Sequence, residues 1–245
     1  SLKTLHNWAK EKYNDEDDEK LNIKLSPFKT IEYKIPASKK REIVKRAISA
    51  TALRYLWDVP EDRLTERGLM ARDAYFLSFG LCGMNAVDMW HHKMDEDTPD
   101  NLIEYYRAKT VGRSGNESYI KIHVHEFFMP IHRRHRDKFG KKTWDFGRYS
   151  SPQQLNYALC HGMRAWIDAS VKYYGDLWNM DADKQRNKIL KKLELPTDGL
   201  DFYSARHSFA TIAANDCHVP TDIIDRCLCH AVSSVAANSY IKKDY

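Results

Sequence analysis

Apolar residues recur along most of this chain at helical spacing. Leu2, Leu5, Trp8 and Ala9 fall on one face of residues 2–13. The acidic stretch from Asn14 to Glu19 and the segment through Ser26-Pro27-Phe28 read as loop. Ile31 to Ile35 reads as an extended linker ending at Pro36. From Ser38, a residue suited to capping, the helical period returns. Ile43, Ala47, Ile48, Ala52 and Leu56 then share one face of a helix over Lys39–Trp57. A denser run of Leu, Met, Ala, Tyr and Phe predicts a long buried helix from Thr65 to Leu81. Gly83-Met84-Asn85 breaks that helix and residues 86–91 restart it.

The period changes to two in one place. Residues 102–109 and 118–124 flank a turn containing Gly112, Ser114, Gly115 and Asn116. The second strand alternates Ile120, Ile122 and Val124 with Lys121 and His123, as a one-sided antiparallel sheet requires. Beyond Pro130 the pattern is helical again, over 130–139, 151–173, 181–193, 204–216, 221–229 and 233–241. The fold class expected is mostly α with a small antiparallel β-sheet. Residues 1–35 are expected to be the end of a preceding domain plus linker, whose beginning lies outside the chain, and residues 36–245 the main domain.

Composition narrows the class. A chain of 245 residues with 42% hydrophobic residues, ten Gly and eight Pro is long enough for a core and is not a disordered composition. The net charge of +5 allows binding to a polyanion without establishing it. Cys82, Cys160, Cys217, Cys227 and Cys229 lack the spacing of a disulfide scaffold, so reduced core thiols and an intracellular location are expected. Cys227 and Cys229 beside His230 could suggest zinc, but two residues apart they point to different sides of a helix, and no second Cys/His pair follows; no metal is expected. No apolar run approaches the ~18–20 residues of a membrane span, and no signal peptide is visible.

The most informative segment is late in the chain. Tyr203-Ser204-Ala205-Arg206-His207-Ser208-Phe209-Ala210-Thr211 is followed by Leu228-Cys229-His230 and then by Tyr240. An Arg-His pair, a Leu-x-His and a late tyrosine supply a phosphate clamp, a proton manager and a nucleophile. Those are the parts needed for metal-free attack of a phenol on a DNA phosphodiester. In this order, with helices and a β hairpin before them, they resemble the catalytic domain of the tyrosine recombinases, the phage-integrase family. The nearest likeness is to integrases of bacterial mobile elements that carry Gly-Met-Asn where most members have Gly-Leu-Arg. The resemblance covers about residues 38–245.

It implies a site-specific recombinase, or integrase, that cuts and rejoins double-stranded DNA through a 3′-phosphotyrosyl intermediate without cofactor or metal. Arg206 takes the place of the second catalytic arginine; its planar fork suits two phosphoryl oxygens. His207 is by analogy a packing position. His230 donates to a nonbridging oxygen or helps deprotonate the nucleophile. Tyr240 is the nucleophile, one residue further from His230 than is usual, and Tyr245 is the fallback. Lys109 matches the hairpin lysine that protonates the departing 5′-oxygen. Two positions depart from the pattern. Asn85 stands where the first catalytic arginine is expected, with Arg107 and Arg113 as candidate substitutes. Tyr203 stands where most members have His or Lys. Asp88 matches a structural hydrogen-bonding acid.

Basic clusters at Lys39-Lys40-Arg41 and around Arg133-Arg134 are expected to flank the duplex. The resemblance further implies a tetramer on DNA, a monomer for this fragment in solution, no membrane partner, and a bacterial cytoplasmic location on the nucleoid. The alternative kept open is a degenerate integrase-like protein that binds DNA with little or no cleavage. A type IB topoisomerase is the weaker third reading, because the short spacing from His230 to Tyr240 leaves no room for a long linker.

Overall fold

The computed structural model describes residues 2–14, 23, 47–95, 97–108 and 119–229. By internal contacts the chain divides into two compact units, Ser1–Ile43 and Val44–Tyr245. In the first, helix α1 spans Leu2–Tyr13. Its apolar residues Leu5 and Trp8 are exposed, and the Lys12 ammonium lies 4.8 Å from the Trp8 ring centroid. Asn14 closes the helix onto Ile23. Its side chain accepts from the Ile23 N–H at 2.8 Å and donates to the Ile23 carbonyl at 3.1 Å.

The second unit opens with α2, Ala50–Trp57, which starts later than the apolar period suggested. Ser49 is the reason: its hydroxyl accepts from the Ala52 N–H at 3.0 Å and sets the start of the helix there. Residues 47–49 are not helical, and Ile48 is buried through a hydrogen bond from its N–H to Ser208 Oγ. Ser38 lies outside the described residues. Helix α3, Glu66–Gly80, begins where its cap Thr65 accepts from the Gly68 N–H, and every residue from Met70 to Ser78 is buried.

Helix α4, Ala86–His91, follows the predicted break. Strands β1, Leu102–Tyr106, and β2, Tyr119–His123, pair antiparallel with Leu102 opposite His123 and Tyr106 opposite Tyr119. Ile103 and Ile120 are buried, while Lys121 and His123 face outward, as the alternation predicted. Helix α5 covers only Met129–Arg134, shorter than expected. Arg136 instead bridges to Trp144, and the Asp137 carboxylate gathers the N–H groups of Phe139, Lys141 and Lys142 into a turn.

Helix α6, Pro152–Leu177, is capped by Ser151 and packs most extensively on α3. Gly162 makes that approach possible: a Cβ there would sit 2.6 Å from both Ala71 Cβ and the Arg67 carbonyl oxygen. Helix α7, Arg186–Lys192, starts later than expected because Asp181 turns the chain by accepting from the N–H groups of Asp183 and Lys184. Helices α8, Ser204–Asn215, and α9, Thr221–Cys227, end the described part. The predicted helix over 233–241 lies outside it. The architecture is mostly helical with one two-stranded antiparallel sheet among the described residues. None of the described helices is long and apolar enough to cross a membrane.

The core forms around α3 and α6. Tyr75 and Trp166 meet edge to face at 5.6 Å, with Phe76 and Phe202 beside them. The Tyr75 hydroxyl accepts from Ser204 Oγ at 3.2 Å and lies 3.3 Å from Ser208 Oγ, which ties α8 to this core. Burial pushes the Tyr75 phenol up to about 12.

Candidate functional site

Two turns and one helix build the site. The first turn ends α3 and has the hydrogen bonds of a Schellman motif. Gly83 N–H donates to the Ser78 carbonyl at 2.7 Å and Cys82 N–H to the Phe79 carbonyl at 3.2 Å. Cys82 and Gly83 both take positive φ, +55° and +76°. Ser78 Oγ then donates to the Met84 carbonyl at 2.8 Å and holds the exit strand. The second turn ends α9. Leu228 caps it, and Cys229, at φ +52°, sits in the left-handed position a glycine commonly fills, with its N–H donating to the Arg226 carbonyl.

Arg206, on the first turn of α8, joins the two. Its Nη1 donates to the Gly83 carbonyl at 3.1 Å and its Nη2 to the Leu228 carbonyl. Gly83 is required for this approach. A Cβ there would lie 2.6 Å from Arg206 Cα, Cβ and Cγ. The Gly-Met-Asn segment is therefore the bed on which Arg206 rests. Arg107, just past β1, comes from the other side: its Nη1 donates to the Leu228 carbonyl at 3.1 Å and to the Cys229 carbonyl at 3.4 Å. Two guanidiniums, both only 2% exposed, thus converge on one carbonyl two residues before His230.

Asp88 balances part of this charge. Buried on α4, it accepts from the Ala108 N–H at 2.9 Å and from the Asn85 side chain. Burial pushes its carboxyl up, against the pull of the Ala108 hydrogen bond and the charges of Arg107 and Arg206. Asp88 is a structural acceptor here, as its sequence position suggested. Asn85 directs its amide to Asp88 rather than capping its own helix, α4. Tyr105 on β1 completes the surround; burial raises its phenol far above the ordinary range.

Beside the cluster opens a cleft of about 620 Å³, lined by Asn85, Ala108, Phe202 and Tyr203 and by Gln153 and Asn156 of α6. Tyr203 is 38% exposed, and its ring stands edge-on to the buried His207 at 5.3 Å. His207 is a packing residue, as expected. The structure therefore brings together Arg206, Arg107, Asn85 and Tyr203 of the sequence-derived set. Lys109, Arg113, His230, Tyr240, Tyr245, Lys39, Lys40 and Arg41 lie outside the described residues.

The basic cluster at α5 is engaged within the fold. Arg134, although exposed, is tied to the fold, donating to Asp73 at 2.9 Å and Glu61 at 2.8 Å, and His135 lies 3.0 Å from the same Asp73. Asp73 is fully buried and also receives Arg72 at 3.0 Å. Burial would raise its carboxyl, yet the His135 hydrogen bond and the charges of Arg72, His135 and Arg134 outweigh that and hold it below the usual range. Arg134 therefore braces the fold through Asp73 and Glu61. Arg133 is largely exposed and pairs with Asp100 at 3.3 Å. Cys217 also departs from expectation, being exposed rather than core; the other four cysteines are buried or half-buried, and all five are free thiols.

Sequence reasoning missed Gln153 and Asn156, which look like ordinary polar positions on a helix surface. It also missed the involvement of Tyr105, which reads as one aromatic among several in a strand. No family model, curated protein or solved structure matches the chain.

Proposed function

We propose that this chain is the catalytic part of a DNA strand transferase, a site-specific recombinase of the tyrosine type acting on double-stranded DNA. The observation that carries the reading is the convergence of Arg107 and Arg206 on the Leu228 carbonyl, at the turn leading into His230. Paired guanidiniums suit the two negative charges of a dianionic phosphorane, and Arg107 supplies the cation that Asn85 lacks. On DNA binding a nonbridging phosphoryl oxygen replaces the Leu228 carbonyl as acceptor, and the turn shifts to admit it.

In the proposed reaction the Tyr240 oxygen attacks phosphorus and the bond to the 5′-oxygen breaks. Lys109 gives that oxygen its proton, and His230 takes the phenol proton or binds a phosphoryl oxygen. The 3′-phosphotyrosyl link conserves the bond for rejoining, when the 5′-hydroxyl of a partner strand attacks and Tyr240 leaves. A tetramer on two duplexes is the assembly in which strands exchange.

One observation favours the second reading, DNA binding without cutting. Both guanidiniums are buried, with Nη donors on main-chain carbonyls, and Asn85 brings no charge. A nicked half-site DNA that traps covalent adducts separates the two. The first reading expects an adduct that disappears in Tyr240→Phe and falls at least tenfold in Arg107→Ala. Salt-sensitive binding with no adduct in the wild type establishes the second. Loss of adduct in Tyr245→Phe with retention in Tyr240→Phe transfers the nucleophile to Tyr245.

A further inference from the structure

Cys82 and Cys227 lie in different turns, far apart in sequence, yet their thiols share a hydrogen bond. The backbone geometry explains why they meet. Each cysteine immediately precedes a residue whose carbonyl accepts from Arg206: Gly83 after Cys82, Leu228 after Cys227. One guanidinium therefore ties together the two turns that carry these cysteines. The Cys82 turn is rigid, fastened by the Gly83, Cys82 and Ser78 hydrogen bonds described above. Both cysteines are half-buried, within reach of a small oxidant, whereas Cys229 is buried.

We infer that Cys82 and Cys227 form a reversible disulfide that latches the end of α3 to the end of α9 across Arg206. Cys227 is the attacking group. The neighbouring Cys82 thiol draws its pKa down, against the opposing effect of burial, which favours its thiolate. With a small-molecule disulfide as oxidant, the Cys227 thiolate attacks one sulfur and expels the first thiolate, leaving a mixed disulfide. The Cys82 sulfur, losing its proton to solvent, then attacks the Cys227 sulfur and expels the second. Two protein thiols are oxidised and one disulfide is reduced to two thiols. The latch fixes the separation of the Gly83 and Leu228 carbonyls whatever the chain's activity, so it stands apart from the proposed function.

The test uses the full chain with oxidised glutathione, non-reducing peptide mapping by mass spectrometry, and thermal unfolding. The expected result is a peptide pair joined through Cys82 and Cys227, lost on adding dithiothreitol. The melting temperature of the oxidised protein should rise by several degrees over the reduced one. Cys82→Ser and Cys227→Ser should each abolish both effects; Cys160→Ser should change neither. Glutathione attached to the exposed Cys217, without a linked Cys82–Cys227 peptide, shows that the oxidant acted and overturns the inference. A linked peptide in which Cys227 is paired with Cys229 or Cys160 overturns it equally.

Discussion

Gly83→Ala is the substitution that most directly tests how the site is built. Alanine at φ +76° occupies the left-handed region, which costs an L-residue about 1–2 kcal/mol. Its methyl would also lie 2.6 Å from Arg206 Cα, Cβ and Cγ. Those atoms are the backbone and stem of α8, held in place by the buried Ser204, Ala205, His207 and Ser208 around them, so no flexible tip can move aside. Overpacking of this kind adds about 1–3 kcal/mol. Together the loss is roughly 2–5 kcal/mol, or roughly 4–20 °C in melting temperature for a unit of this size.

The control is Gly140→Ala, where φ is +65° and nothing lies within 4 Å of the added carbon. Only the backbone contribution remains there, about 1–2 kcal/mol, equivalent to roughly 2–8 °C. Thermal unfolding followed by circular dichroism of both variants isolates the contact with Arg206 as their difference. Equal melting temperatures for the two variants would refute the claim that Gly83 is the bed for Arg206. The adduct assay on Gly83→Ala at a temperature where it stays folded then reports the clamp itself, with a loss expected because α8 must shift.

Asp73→Asn should destabilise the fold by roughly 3–5 kcal/mol in urea unfolding, since it removes the buried carboxylate that Arg72, Arg134 and His135 share. Arg134→Met should cost clearly less, because that side chain is partly solvated; equal losses would show that Asp73 is not the hub. Stability should also peak near neutral pH. Burial lowers the pKa values of His92 and His132, so below about 6.5 the unfolded chain binds more protons and stability falls as pH falls. His135 has the opposite sign. Its pKa is raised because the Asp145 and Asp73 carboxylates outweigh burial, so its contribution is present below about 6.5 and is lost as pH rises through the native value. Melting profiles between pH 5 and 8 check both limbs: His92→Gln should flatten the acid side, and His135→Gln the alkaline side.

The break at Gly83-Met84-Asn85 was legible because a helix stop is a local matter: a left-handed residue after the last turn satisfies orphan carbonyls wherever it occurs. Thr65 and Ser151 were legible as helix starts for the same reason. Ser49 was missed since Ile43, Ala47 and Ile48 continue the apolar period through it. Ile48 is buried in the core outside any helix of its own, with its N–H donating to Ser208, a partner far along the chain. Periodicity cannot distinguish burial by one's own helix from burial by a distant one.

The charges follow the same logic. Arg134 and Arg107 are identical in type, and each stands in a basic neighbourhood in the sequence. Arg134 is drawn to Asp73 because that carboxylate, fully buried on α3, needs cations around it to remain ionised, and Arg72 beside it supplies only one. Arg107 turns inward because the last carbonyls of α9 have no helical partner and meet the end of β1. An unsatisfied group elsewhere in the fold thus decides where each arginine goes. That places Arg107 beside Arg206 for a reason independent of DNA: the turn before His230 needs donors. On the proposed function, an entering phosphate competes with the Gly83, Leu228 and Cys229 carbonyls for the two guanidiniums. Activity on that reading would depend on how readily the turn at Leu228–Cys229 gives way, and Asn85 contributes no charge to ease that exchange.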